Sequence, residues 1–229
     1  FILNSILYLI TSIFLFYIQY KPKKNKKIPN ISLTFKEIKI AIAFLVQNKI
    51  ILIYGICSQI IFAFLIVELF ALLPLFVKNC LNENIITFSL ADGIYAIGAI
   101  ISGFITIKVL KHINKIPFTI LLMIITGYSI LLMIELPKLH VFFLTTLIIG
   151  ITNASTRITR MSYFFDNVPN YLIGRTNTIF NGINTIIRGV LILIFSFNWF
   201  SENTNVIIGY KIGIYVLILF TIPLMYQVH

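Results

Sequence analysis

The sequence predicts an all-α polytopic membrane protein, and three observations predict it. Hydrophobic residues make up 59% of the 229 and charged residues 11%, with a mean hydropathy of +0.99, against roughly 45–50% apolar and 25% charged in soluble domains. Apolar residues gather in runs of about 20 or more, the length at which a helix crosses a hydrocarbon core. Lysine and arginine fall mostly in the gaps between those runs.

The net charge of +11 raises the question of a nucleic-acid partner, and the placement of the charges answers it. Eight of the 18 basic residues lie between Lys21 and Lys49, as expected of a loop held on the cytoplasmic side of a membrane. No nucleic acid is expected. Cys57 and Cys80 show no CxxC or ligand spacing, so neither a disulfide framework nor a metal site is predicted.

Seven spans follow, at residues 1–20, 50–77, 85–107, 116–136, 139–165, 171–200 and 206–226. The first starts in full hydrophobic stride at Phe1, without the basic leader and small-residue cleavage site of a signal peptide. It reads as the last helix of a missing N-terminal half. Lys21, Lys23, Lys24, Lys26, Lys27 and Pro29 form a basic linker too costly to insert in lipid. Thr34 with Glu37 three residues later is a capping-box pattern for a helix start. Phe35, Ile38, Ile42 and Leu45 then recur at helical spacing with Lys36, Lys39 and Lys49 off that line. The pattern predicts an amphipathic helix on the inner leaflet, or an extension of the next span.

Counting loops on alternate sides puts the lysine tract, then Lys108, Lys111, His112 and Lys115, then Arg157, Arg160 and Arg175 on one side. The other side holds Lys78 with Glu83, Glu135 with Lys138 and His140, and Glu202. The bias predicts that the lysine-rich loop and the C-terminus are cytoplasmic. In the third span, Ser89 with Gly93, Gly98 with Ser102, and Ala99 with Gly103 have the small-xxx-small spacing of closely packed membrane helices.

Charged residues inside the spans are the functional candidates, since an ionised side chain at the bilayer centre costs about 2.5–3.5 kcal/mol on insertion scales. Glu68, Asp92 and Arg188 sit well inside apolar runs, and Asn153, Arg157 and Arg160 recur at steps of four and three on one helix face. Arg157 and Arg160 can also snorkel to lipid phosphates. Arg188 has two readings, a pair with a buried acid such as Glu68 or a contact to an anionic substrate group. Glu68 likewise either loads and releases a proton or serves as a structural partner. No HExxH, P-loop or GxSxG motif is present, so neither an enzyme nor a cofactor is expected.

The order of one helix, a basic loop with a short helix, and six spans resembles the second half of a major facilitator superfamily transporter. Val168-Pro169, then Gly174-Arg175 and Asn177, in the short loop leading into the sixth span, resemble the branch of siderophore exporters and macrolide or multidrug efflux carriers. Leu72-Leu73-Pro74-Leu75-Phe76-Val77 is similar to the apolar, proline-bearing exit of their corresponding helix. The sequence departs at Ile107, where the superfamily's loop motif often carries an acid. The resemblance implies a helix at 1–20 from the N-terminal half, a cytoplasmic linker at 21–49 and a six-helix bundle at 50–229. It further implies a proton-coupled exporter of a small molecule in the plasma or inner membrane, with Pro169, Gly174 and Arg175 as a structural loop motif; the residues within the spans, Glu68, Asp92, Asn153, Arg157 and Arg188, are then the candidates for substrate binding or proton coupling. The implied partners are the lipid bilayer, a small-molecule substrate and the missing six-helix half. A non-transporting scaffold or remnant of a split carrier is the other reading.

Overall fold

A computed structural model describes residues 2–17, 31–202 and 205–228; the lysine tract lies outside them. Among the described residues all regular structure is helical. The chain divides into two units, 1–38 and 39–229. The first holds α1 (Ile2–Tyr17), whose described side chains are exposed, and the opening of α2 (Ile31–Gln47). Because α2 starts at Ile31, Thr34 lies inside the helix and is not its cap, contrary to the capping-box reading.

Within the second unit α2 buries Ala41 and Leu45, while Ile42 is 46% exposed. The buried line therefore runs through 41 and 45, one residue off the predicted stripe at position 42. The helix ends because Asn48 leaves the helical conformation and its side-chain amide donates to the Phe44 carbonyl at 2.8 Å. That local hydrogen bond competes with continuation and separates α2 from the span that follows.

Among the described residues six helices are long and apolar enough to cross a membrane. The span predicted at 50–77 is not one rod but α3 (Lys49–Cys57), α4 (Ile60–Val67), a π-helical turn (Glu68–Leu72) and α5 (Leu73–Asn79). Pro74 accounts for the π turn. It has no N–H for the carbonyl four residues back and its ring crowds that carbonyl, so the ladder shifts and the Leu73 N–H bonds the Glu68 carbonyl five residues back. The other spans are α6 (Ile85–Val109), α7 (Lys115–Glu135), α8 (Leu139–Asn167), α9 (Asn170–Phe195) and α10 (Val206–Met225). All five start within one residue of prediction. Helix α9 ends at Phe195 rather than at 200, because a separate 3-10 turn, Asn198–Ser201, follows.

Helix α8 is the hub. It shares its most extensive interfaces with α6 and α7 and joins them by buried hydroxyl bonds, Thr106 to Ser155 at 2.7 Å and Thr126 to Thr152 at 2.8 Å. Such bonds hold membrane helices together where no hydrophobic drive separates protein from lipid. Backbones come closest at two glycines. A Cβ at Gly98 would lie 2.4 Å from the Leu147 carbonyl oxygen, and one at Gly150 would lie 2.3 Å from that of Tyr95. Of the three small-residue pairs predicted to pack, only Gly98 with Ser102 is buried; Gly93 and Gly103 have no neighbour within 4 Å.

Both ends of the α7 interfaces carry ion pairs. Lys115 pairs with Asp166 at the start of α7 and end of α8, and Glu135 at the far end of α7 meets Lys211 of α10 at 3.9 Å. The exterior is apolar, with Phe104 73%, Tyr215 70% and Leu193 71% exposed. Water would not tolerate that surface and lipid does, so the chain is an integral membrane protein.

Gly150→Ala forces a methyl group into the Tyr95 carbonyl, and overpacking of this kind costs about 1–3 kcal/mol. We expect it to lower the thermal midpoint of the detergent-solubilised protein, while Gly93→Ala leaves it unchanged. Equal midpoints for the two variants would refute the close approach of α6 and α8.

Candidate transport site

The site is built where α8 runs antiparallel to the broken span. Reading down α8, Asn153 lies opposite Glu68, Arg157 opposite Phe62 and Arg160 opposite Ser58. Steps of four and three put the three α8 residues on one face, as the sequence indicated, and each meets a different feature of the facing span.

At the first level, Glu68, Asp92, Tyr95, Thr146 and Asn153 line a cavity of about 70 Å³ with Leu65, Ile66, Leu73, Ala91 and Ile149. That volume holds a few waters and falls below the 300–1,000 Å³ of a drug-sized site. Glu68 is 5% exposed and opens the π turn. The Tyr210 hydroxyl of α10 lies beside its carboxyl without completing a well-aligned hydrogen bond. The Asn153 amide donates to the Tyr95 hydroxyl, leaving Asn153 Oδ1 buried and without a partner. Asp92 stands exposed at the rim, and both it and Arg157 lie within electrostatic range of Tyr95. Three predicted residues, Glu68, Asp92 and Asn153, are thus brought together.

At the second level, the guanidinium carbon of Arg157 sits 5.3 Å from the centre of the Phe62 ring and that of Arg188 sits 6.0 Å from it. The Glu68–Arg188 pair envisaged from the sequence is therefore absent. Arg188 instead reaches Thr185 Oγ1 at 3.5 Å.

At the third level lies a feature that sequence reasoning missed. Ser58 and Gln59 interrupt the helix between α3 and α4. Arg160, 6% exposed, donates from Nη1 to the Ser58 carbonyl at 3.0 Å. The Asn184 amide donates to the Gln59 carbonyl at 3.3 Å and to Gln59 Oε1 at 3.0 Å. In hydrocarbon an unpaired backbone carbonyl costs several kcal/mol, so Arg160 acts as a cap for Ser58, while the Gln59 carbonyl accepts from the Ala63 N–H at 3.0 Å as well as from Asn184. Arg160 does not snorkel to lipid. The polar pair Ser58-Gln59 inside an apolar run was the signal available.

The loop motif is partly reassigned. Val168 is extended, as a residue before proline must be, and Pro169 caps α9. Gly174 and Arg175, however, lie inside α9 and not in the loop before it. Gly174 is exposed and Arg175 half-buried.

A model of the Major Facilitator Superfamily matches residues 1–192. Neither a curated protein nor a solved structure matches.

Removing the Arg160 donor orphans a buried carbonyl, a loss of about 1–3 kcal/mol. Arg160→Met should lower the unfolding midpoint by several degrees, and Arg157→Met, whose side chain is exposed, should not. Equal stability of the two variants would count against capping.

Proposed function

The chain belongs to the Major Facilitator Superfamily of membrane transporters, and from that membership we propose that it acts in a proton-coupled exporter of a small molecule. Glu68 is the coupling residue. One observation carries the reading: a carboxyl buried in a span lines a small cavity at a π turn, with a second acid, Asp92, at the rim. Superfamily members of this type pump against a gradient without nucleotide chemistry, and no phosphate-binding loop occurs in the sequence.

A carboxylate in this position loads a proton from the cavity and releases it when the cavity opens to the other side. Neutral, Glu68 is tolerated beside the Tyr210 hydroxyl and the apolar wall; ionised, it needs water or a cation. Two six-helix halves rocking about a central site give that alternation; in this reading residues 50–229 supply one of them and a second six-helix half supplies the opposite wall. Export, as against uptake, is supported by the likeness of the 168–177 segment to efflux carriers. The charge bias of the loops supports a cytoplasmic lysine tract and C-terminus in a plasma or inner membrane.

In the complete carrier, Glu68→Gln is expected to abolish proton-gradient-driven export, by at least tenfold, while membrane abundance stays normal. Full uphill export by this variant would eliminate the coupling role. For sidedness, a reporter active only outside the cytoplasm should be silent when fused after Lys27 and active after Glu202; the reverse pattern would invert the topology.

A further inference from the structure

The two guanidiniums over Phe62 are not explained by proton coupling. Arg157 comes from α8 and Arg188 from α9, and both approach one ring on α4. Among the described residues neither pairs with a carboxylate, unlike Lys115 with Asp166 and Lys211 with Glu135. Arg188 has only the long bond to Thr185 on its own helix, and its Nε is buried with no partner. The attraction of a ring for a cation is smaller than the cost of holding two guanidiniums within a membrane span, and the two like charges repel each other. An anion between them relieves both terms, with paired N–H donors matching a carboxylate, phosphate or sulfonate.

We propose that Arg157, Arg188 and Phe62 form a binding site for an organic anion, the charged group held by the guanidiniums and an adjoining flat apolar group against the ring. Arg157 also borders an open groove along α8, lined by Ala154, Ile158, Met161 and Phe165, which gives such a molecule a way in. Phe62 lies six residues from Glu68, about 9 Å along a helix. The two sites are distinct yet share one rigid segment. This inference names a substrate class for the transport function and rests on that reading, but not on the choice of Glu68 as coupling residue.

The test uses the complete carrier in lipid nanodiscs, titrated with fluorescein, 1-naphthyl phosphate and naphthalene-1-sulfonate, with the cationic xanthene rhodamine 6G as the charge-reversed control. At least one anion should bind, and rhodamine 6G should not compete with it. Arg157→Gln and Arg188→Gln should each weaken binding at least tenfold, Arg188→Lys less so, and Phe62→Leu severalfold. Lys211→Gln, whose partner is Glu135 outside both sites, should leave binding unchanged, and Glu68→Gln should still bind the anion while losing uphill export, which separates this site from the coupling role. The proposal is overturned if none of the three anions binds, if the cation binds in preference, or if both glutamine variants bind as well as the parent. Should the guanidiniums instead pair with a carboxylate elsewhere in the carrier, the parent would bind no anion and the glutamine variants would lose folded protein, and the proposal fails. If Arg188→Gln does not fold, Arg188→Lys and Arg157→Gln decide the matter.

Discussion

Backbone polar groups in hydrocarbon must find partners within the protein, and the hydrogen-bond ladder of the span from Lys49 to Asn79 is disturbed at two places. At Ser58-Gln59 the helix is interrupted, and at Glu68–Leu72 Pro74 shifts the ladder. Most of the site is built around those two disturbances. Arg160 and Asn184 reach the carbonyls of the first break from α8 and α9. Two helices that donate into a third are fixed in register with it, and that register brings Arg157 opposite Phe62 and Asn153 beside the cavity of Glu68.

The cavity beside the π turn depends on close packing. Gly150 lets α8 lie against the Tyr95 carbonyl of α6, and one turn further on Asn153 meets the Tyr95 hydroxyl. A larger residue at 150 would push the helices apart and break that contact. The Ser155 and Thr152 hydroxyls then tie α8 to α6 and α7. A polar stripe on α8 thus serves packing on two flanks and the candidate site on a third, which explains why a transmembrane helix carries Thr152, Asn153, Ser155, Thr156, Thr159 and Arg160 all buried.

The spans were legible in the sequence because crossing a bilayer demands length and hydropathy together, and both can be counted. Helix starts at 85, 139 and 206 agree with the structure to the residue. The breaks were not legible, because two polar residues leave the mean hydropathy of a long run nearly unchanged, and Pro74 reads equally well as a span end. Glu68 stood out as the lone acid of its run. Arg160 did not, because its spacing near a span end is the same whether it snorkels or turns inward; the deciding partner, Ser58, lies 102 residues away. The pairing of Glu68 with Arg188 was plausible from charge alone and fails on geometry, because Arg188 reaches Phe62 instead.

The two interruptions also bracket a segment. Helix α4 runs only from Ile60 to Val67, with the Ser58-Gln59 break at one end and the π turn at the other. Kinks form where a ladder is already disturbed, so bending at these points costs less than bending a continuous helix. Phe62 is on this segment and Glu68 begins the turn that ends it. In a carrier that alternates access, rotation of α4 between its two ends would displace the aromatic floor of the proposed anion site and the entrance to the acid cavity in one movement. Proton occupancy at Glu68 and anion occupancy at Phe62 would then bias the same element, which is the physical requirement for coupling two ligands.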